Sequence, residues 1–173
     1  MNILNDILND FLSLGQIEEG RIQLRLSQFN ISELIILTTN EFSSLLKPGQ
    51  EIRCLHEGAT EVKLDSNLLR HILMNLVSNA SKFSPENSLI DIKTSCDKNK
   101  LQLTVKDEGI GISVQDQKHL MERFFRGGNA GNIQGTGLGL HIISKYAELM
   151  NGKITCHSEP NKGAEFIITF NLI

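Results

Sequence analysis

Two glycine clusters are the part of this chain whose residue types and spacing most clearly suggest chemistry. They are Asp107–Ile112 (DEGIGI) and Gly135–Leu140 (GTGLGL), and the stretch from 107 to 139 holds eight of the chain's 14 glycines. Glycine lets a ligand approach the main chain closely. The second cluster leads into an apolar helical pattern, and the free N–H groups at a helix start favour phosphate. The pair predicts a nucleotide site under a mobile flap, although either cluster alone is also typical of a turn.

Two widespread phosphate-binding loops are absent from the sequence. The P-loop pattern GxxxxGK[ST] does not occur. The dinucleotide pattern GxGxxG is also missing, because Gly137 and Gly139 are followed by Leu140, His141 and Ile142. A nucleotide site in this chain therefore belongs to another class.

A second set of polar residues lies in a helical pattern upstream. Asn75, Asn79, Lys82 and Phe83 are spaced three, four or one apart, so a helix presents them along one side. Amide oxygens suit a hydrated Mg²⁺ bound to phosphates, and an ammonium neutralises phosphate charge. The alternative is a solvated helix end from 79 to 84. Asn75 favours the functional interpretation, because asparagine is a poor helix former well inside a helix.

Asp107 and Arg126 are the charged candidates near the glycines. Asp107 ends a strand pattern, and its carboxylate could accept a hydrogen bond from an exocyclic amine such as that of adenine; the alternative is an Asx turn. Arg126 could reach a terminal phosphate, or it is an ordinary surface arginine. The adjacent Phe124 and Phe125 predict an anchor that holds the flap against the core.

The elements that must position these residues follow from hydrophobic periodicity and turn signals. We expect helices at 3–14, 30–46, 65–82, 115–123 and 138–150, with Asn30 and Asp65 as N-caps. We expect strands at 21–26, 51–55, 62–64, 89–96, 101–106, 153–157 and 164–171. This order predicts a mixed α/β layer with helices on one face of a sheet.

The first helix is predicted to stop at the break formed by residues 15–20. Its apolar positions are spaced three and four apart, as in a coiled-coil seam, and comprise Leu4, Ile7, Leu8, Phe11 and Leu14. A helix this short is marginal alone. We expect the stripe to pack on a partner helix, as in a dimer, with packing on the core as the alternative.

Bulk composition narrows the function classes. A chain of 173 residues suits one domain, and a net charge of −3 argues against a general nucleic-acid binder. No apolar run reaches membrane-spanning length and no signal peptide is present. The cysteines (Cys54, Cys96, Cys156) are odd in number and scattered over strand patterns, which predicts buried free thiols and a cytoplasmic setting.

Four segments together resemble sensor histidine kinases. Asn75–Pro85 resembles their N box, Asp107–Ile112 their first glycine box, Met121–Arg126 their F box and Gly135–Leu140 their second glycine box. They occur in the family's order, although Met121 replaces the usual first Phe of the F box. His141 also stands where the family commonly has a small residue.

The resemblance implies the ATP-binding catalytic domain of the GHKL superfamily. The implied fold is an α/β two-layer sandwich, with a mixed sheet of about five strands against about three helices and an ATP lid. Residues 20–173 would form this domain. Residues 1–19 resemble the end of the second helix of the dimerisation and phosphoacceptor domain.

The resemblance also assigns roles to residues of this sequence. Asn79, Lys82 and Arg126 would be catalytic, and Asn79 would help hold Mg²⁺. Phe83 would border adenine and Asp107 would bind its amine. The full implied ATP-binding set is Asn75, Asn79, Lys82, Phe83, Asp107, Gly109, Gly111, Ile112, Gly135, Thr136, Gly137, Leu138 and Gly139.

The implied parent reaction transfers the γ-phosphate of ATP to a histidine and then to a response-regulator aspartate. Of the five histidines only His56, followed by Glu57, imitates the acceptor pattern, and it lacks the proline and lies between strands. We therefore expect this chain to bind Mg-ATP without phosphorylating itself. Its implied partners are the parent's phosphoacceptor domain, a response regulator and a second copy through the first helix, with no nucleic acid and with a membrane only through the parent.

Two alternatives remain at this point. The serine-kinase anti-sigma factors share the implied fold, although the F box and the preceding helix favour the histidine kinase. The chain could also be a nucleotide-sensing or protein-interaction module without kinase activity, whose lid only changes shape.

Overall fold

The computed structural model describes residues 3–131, 133 and 135–172. Its helices are α1 (Ile3–Glu18), α2 (Ile31–Phe42), α3 (Ser66–Phe83), α4 (Val114–Gln117) and α5 (Gly139–Leu149), with one 3₁₀ turn at Ser43–Leu45. Its strands are β1 (Ser27–Asn30), β2 (Glu51–Gly58), β3 (Glu61–Leu64), β4 (Leu89–Cys96), β5 (Lys100–Lys106), β6 (Gly152–Ser158) and β7 (Ala164–Asn171).

The main sheet has five strands in the order β2-β4-β5-β7-β6. β2 runs parallel to β4, and the other neighbouring strands are antiparallel. β1 and β3 form a separate antiparallel pair. Helices α2, α3 and α5 pack against the sheet and against one another. The predicted fold class, a mixed sheet of five strands covered by three helices, is confirmed.

The central helix α3 is oriented by its apolar face. Asp65 caps its start, because Oδ1 accepts hydrogen bonds from the amides of Asn67 and Leu68 at 3.1 Å each. The buried face lies 0–1% exposed at four positions, Leu69, Ile72, Leu73 and Leu76. Burying each such side chain stabilises the folded state by about 1.5–3 kcal/mol. With that face fixed on the sheet, the polar edge of the same helix must face elsewhere.

The N-terminal helix is longer than the sequence pattern predicts. Gly15 does not end it; α1 continues to Glu18, and the chain turns at Gly20, whose φ is +63°. A glycine inside a helix costs only about 1 kcal/mol, and Leu14 and Ile17 on either side of Gly15 pack on the core. In the predicted stripe Leu14 alone is buried, so one end of α1 packs on the domain while its other apolar residues stay exposed.

Three further boundaries differ from the sequence prediction by four residues or more. The predicted strand at 21–26 is wrong: β1 begins at Ser27, and the amide of Arg25 donates to Asp65 Oδ2 instead of to a strand. The helix predicted to reach residue 46 ends at Phe42. The helix predicted at 115–123 covers only 114–117, because the amides of Lys118 and His119 bond three residues back and tighten the chain into turns.

The three cysteines are free thiols, but they are not all buried. Cys96 is buried and Cys156 half-buried, where burial raises the pKa of the Cys156 thiol to about 12. Cys54 is exposed, because β2 is an edge strand of the sheet, so the prediction of burial is wrong there. Within the described residues, no helix is both long and apolar enough to cross a membrane.

Candidate active site

A cavity of about 170 Å³, open to solvent, lies between α3, the turn after β5 and the segment before α5. Most of the predicted binding residues line it: Asn75, Asn79, Lys82, Phe83, Asp107, Gly111, Ile112, Arg126, Gly135, Thr136, Gly137 and Gly139. Gly109 and Leu138 do not line it. Leu138 is fully buried in the core, and its carbonyl accepts the amide of Ile142 in the first turn of α5. Four segments distant in sequence thus meet around one cavity.

Asp107 lies at the inner wall of the cavity and is only 7% exposed. Its Oδ1 accepts hydrogen bonds from the amides of Gly109 at 2.9 Å and Ala164 at 3.1 Å. No described residue donates to Oδ2, which leaves that oxygen available to a ligand donor. Burial raises the pKa of the Asp107 carboxyl, and the two amide hydrogen bonds oppose that rise.

The first glycine cluster is held against α3 and the β6–β7 turn by close backbone contacts. The amide of Ile110 donates to the carbonyl of Phe83 at 3.1 Å, and a Cβ on Gly109 would lie 2.4 Å from the same carbonyl oxygen. Gly111 has a φ of +72°, and a Cβ there would lie 1.9 Å from Glu159 O. Glycine is therefore required at both positions, Gly109 as support behind the cavity and Gly111 in its wall.

The polar edge of α3 faces the cavity, with Lys82 exposed and the two asparagines half-buried. Among the described residues, neither Asn75 nor Asn79 has a hydrogen-bond partner for its carboxamide. The second glycine cluster approaches this edge so closely that a Cβ on Gly139 would lie 2.5 Å from Asn75 Oδ1. Both carboxamides are therefore left to solvent or to a ligand.

The start of α5 adds a positive element to the same wall. Gly139 and Leu140 open the helix and line the cavity, and no described side chain caps this end. The first turn carries no acidic residue. Uncapped N–H groups and the positive end of the helix dipole favour an anion here.

The described residues between 120 and 137 form the outer wall. The Arg126 guanidinium lines the cavity and donates to the carbonyl of Ile133 in the same segment. Phe125 packs against the core as predicted. Phe124 does not: it is 55% exposed, and its ring lies 6.1 Å from that of Phe11 on α1. Its φ of +59° turns the backbone towards Gly137, where a Cβ would lie 2.6 Å from Phe124 C.

Asp10 is a cavity residue that the sequence did not indicate. It lies on α1, half-buried, and Thr136 Oγ1 donates to its Oδ2 at 2.7 Å. Burial is the main cause that raises the pKa of the Asp10 carboxyl, while the Thr136 hydrogen bond opposes the rise. An ion pair between Glu18 and Arg123 is a second link from α1 to the outer wall. Nothing in the local sequence of α1 distinguishes Asp10 from a solvated aspartate.

The two departures from the family's motifs contact each other. The ring nitrogen Nδ1 of His141 lies 3.0 Å from the carbonyl oxygen of Met121. His141 is 8% exposed and lies in the first turns of α5. A hydrogen bond thus ties the F-box segment to α5 at the point where both residues are unusual.

The sheet, the three helices and the lined cavity together match the architecture that the sequence predicts for a nucleotide-binding domain. Residues 64–173 match the family of histidine kinase-, DNA gyrase B- and HSP90-like ATPases, and the chain belongs to that family. This match covers the N box, both glycine boxes and the F box.

Within this family, the chain is similar to sensor histidine kinases. The chain is 30% identical to the sensor histidine kinase RcsC of Salmonella typhimurium over 99% of its own length and 18% of the relative's. It is 35% identical to the sensor histidine kinase GacS of Pseudomonas protegens over 96% of its length and 19% of the relative's. The chain thus spans less than a fifth of these relatives.

A solved structure agrees over nearly the whole chain. Full-length ShkA, determined in complex with AMPPNP, superposes with a TM-score of 0.85 at 26% identity, over 98% of this chain and 36% of ShkA. These similarities confirm the prediction of a histidine-kinase-type ATP-binding catalytic domain.

Proposed function

We propose that this chain binds Mg-ATP in the cavity and serves as the kinase domain of a two-component sensor. The parent protein transfers the γ-phosphate of ATP to a histidine of its phosphoacceptor domain, and the phosphate then passes to a response-regulator aspartate. The observation that carries the proposal is Asp107: a buried carboxylate in the cavity wall whose Oδ1 is fixed by two amides, while no described residue donates to its Oδ2.

The adenine end of the site is formed by Asp107 and its neighbours. Oδ2 accepts a hydrogen bond from the exocyclic amine of adenine, and Phe83 and Ile112 supply apolar surface for the ring. A buried carboxylate strongly favours a ligand that carries a hydrogen-bond donor at this position over one that carries an acceptor. Guanine carries a carbonyl oxygen where adenine carries the amine, so it is disfavoured.

The phosphate end lies along α3 and the start of α5. Lys82 and the N-terminal amides of α5 offset phosphate charge, and Arg126 reaches the terminal phosphate after it leaves the Ile133 carbonyl. These groups hold the triphosphate in line with an incoming imidazole. Catalysis in phosphoryl transfer is mostly such positioning and charge stabilisation.

A magnesium ion fits the donor set of this end. Among the described residues, no three His, Cys, Asp or Glu side chains group as a metal site. Mg²⁺ in phosphate-transfer sites needs few protein ligands, because waters and phosphates supply the rest. The carboxamide oxygens of Asn79 and Asn75 would hold the hydrated ion, which when bound supplies charge neutralisation on the phosphates.

The accepting histidine comes from outside the described domain. His56 lies in β2, where its ring is hydrogen-bonded to Thr94 Oγ1 at 2.7 Å and to the Ala59 carbonyl at 3.0 Å, and it does not line the cavity. The boundary after residue 19, the dimer through α1 and the cytoplasmic location all remain predictions for the parent protein.

Calorimetric titration tests the adenine site. We expect Mg-ATP to bind the wild-type chain, GTP to bind much more weakly, and Asp107→Asn to lose ATP affinity by roughly ten- to a hundredfold, the equivalent of one charged hydrogen bond. Asp97→Asn, in the exposed β4–β5 turn, is the matched control and should bind as the wild type does. Equal affinities for ATP in wild type and Asp107→Asn would reject the proposed adenine contact.

Phosphoryl transfer needs a separate assay. Radiolabelled ATP is incubated with the chain and a separately supplied phosphoacceptor domain. Acid-labile phosphate on the acceptor histidine, and none on this chain, is the expected result. ATP binding without transfer would instead favour a nucleotide-sensing module, a role that the link between Asp10 and Thr136 would suit because it connects the cavity to α1.

A further inference from the structure

The C-terminal turn of α3 exposes backbone carbonyls that the helix cannot satisfy. The last carbonyls of a helix have no intrahelical donors, and α3 ends at Phe83 because Ser84 is extended and Pro85 follows. Lys82 and Phe83, in this same turn, line the cavity. The partners that satisfy these carbonyls therefore also determine where two proposed ATP contacts lie.

Gln50, in the loop between α2 and β2, supplies most of those partners. It is only 7% exposed. Its Nε2 donates to the carbonyls of Ser81 at 3.1 Å, Pro85 at 3.0 Å and Ser84 at 3.3 Å. Its Oε1 accepts from Ser81 Oγ at 2.7 Å and from the Lys47 amide at 3.0 Å. Because the donors and the acceptor of this buried carboxamide are all hydrogen-bonded, Gln50 holds its loop and the end of α3 in fixed relative positions.

Lys47 completes the cap. Its Nζ donates to the carbonyls of Lys82 at 2.9 Å and Ser84 at 2.7 Å. A cation at the C-terminus of a helix is favourable because of the helix dipole. The last carbonyl, that of Phe83, accepts the amide of Ile110 from the glycine turn. The end of α3 is thus held from behind by the α2–β2 loop and from the side by the first glycine cluster.

We propose that Gln50 and Lys47 are positioning residues of the nucleotide site. Neither residue lines the cavity. Both hold the last turn of α3 so that Lys82 and Phe83 face the ligand and so that the Phe83 carbonyl accepts the hydrogen bond from the Ile110 amide. This inference rests on the proposed function, because it assumes that ATP occupies the cavity. It adds two residues, distant in sequence from all four motifs, to those that set ATP affinity.

The test compares Lys47→Met with Lys47→Arg. Methionine keeps the aliphatic stem but removes the donors, whereas arginine restores a cation with donors. We expect Lys47→Met to bind Mg-ATP about tenfold more weakly, and Lys47→Arg to recover most of that affinity. Lys100→Met, at the far end of β5, is the control for loss of one positive charge. Gln50→Leu is expected to weaken binding further if it folds.

Two measurements distinguish a positioning role of Lys47 from a general effect of its charge or of its contribution to stability. Adenosine carries no phosphate, so a pure charge effect leaves its affinity unchanged, while a displaced Phe83 weakens it in Lys47→Met. Amide exchange of Ile110, followed by NMR in the ligand-free chain, should also be faster in Lys47→Met than in Lys100→Met.

The outcomes are distinct. A wild-type chain that binds no ATP would reject the proposed function. A wild type that binds ATP, beside a folded Lys47→Met with unchanged ATP and adenosine affinities and unchanged Ile110 exchange, would overturn only the positioning role.

Discussion

Thr136 Oγ1 donates a hydrogen bond of 2.7 Å to Asp10 Oδ2, which joins residues 126 positions apart. Thr136 belongs to the second glycine cluster, and its Oγ1 also accepts the amide of Leu138 just before α5. The contact brings a carboxylate of α1 into the wall of the proposed phosphate end. A negative charge there repels a triphosphate. We therefore expect the Asp10 carboxylate of α1 to weaken the binding of ATP.

Replacement of Asp10 by asparagine should tighten ATP binding. The carboxamide of the variant would keep an oxygen that accepts from Thr136, while the repulsion between carboxylate and phosphates disappears. We expect a severalfold lower dissociation constant for Mg-ATP at low salt, little change for adenosine, and a smaller effect as salt increases. Isothermal titration at two ionic strengths measures this.

Asp6→Asn on the same helix is the matched control. It removes the same charge from a residue that does not line the cavity. An equal gain in affinity from Asp6→Asn, or no gain from Asp10→Asn, would contradict a local role for Asp10.

Asp107 should make ATP affinity depend on pH above the range of an ordinary aspartate. Its pKa is raised by burial, and only the ionised carboxylate accepts the adenine amine at Oδ2. Affinity is therefore expected to fall as pH decreases through the raised pKa, at a pH higher than the usual value of 3.8. Titrations between neutral and mildly acidic pH, beside Asp107→Asn, would show whether the dependence belongs to this carboxyl.

The same shift predicts a cost in stability. A carboxyl whose pKa is higher in the folded state than in the unfolded state binds more protons when folded, so it destabilises the fold at neutral pH and the cost disappears as pH falls. Asp107→Asn keeps an Oδ1 acceptor for Gly109 and Ala164, and it should melt at a higher temperature than the ligand-free wild type. A gain of about 1 kcal/mol corresponds to about 2–4 °C. A lower midpoint at neutral pH would contradict the burial cost.

Gly139 and Gly135 should differ sharply when each is replaced by alanine. A Cβ at Gly139 would lie 2.5 Å from Asn75 Oδ1, whereas a Cβ at Gly135 meets no described atom within 4 Å. Since the obstacle is a side-chain end, Asn75 can turn away and the fold survives. We expect Gly139→Ala to weaken Mg-ATP binding roughly tenfold by displacing Asn75, a loss of about 1.4 kcal/mol.

Gly135→Ala supplies the comparison in the same segment. It should bind Mg-ATP more tightly than Gly139→Ala does, because a Cβ at position 135 meets no described atom within 4 Å and displaces no side chain of the site. Circular dichroism confirms folding of both variants before titration. Equal losses in the two would point to lid flexibility instead of the Asn75 contact.

Local sequence determined a large part of this protein. Apolar spacing and caps predicted α3 within two residues, because Asp65, the Leu69–Leu76 face and Pro85 are local signals of start, burial and stop. The same holds for β4 and β7, whose predicted limits are those observed. The four motifs indicated the cavity wall, since their glycines and polar residues are unusual in themselves.

Tertiary structure decided what depends on contacts between distant segments. Residues 21–26 alternate as a strand does, yet no strand among the described residues pairs with them and β1 forms beyond them. Leu138 follows the motif but is buried in the core, and Phe124 faces Phe11 instead of the domain interior. Asp10 and Gln50 carry no local signal, because a carboxylate on a helix and an amide in a loop look solvated until the fold places Thr136 and the end of α3 beside them.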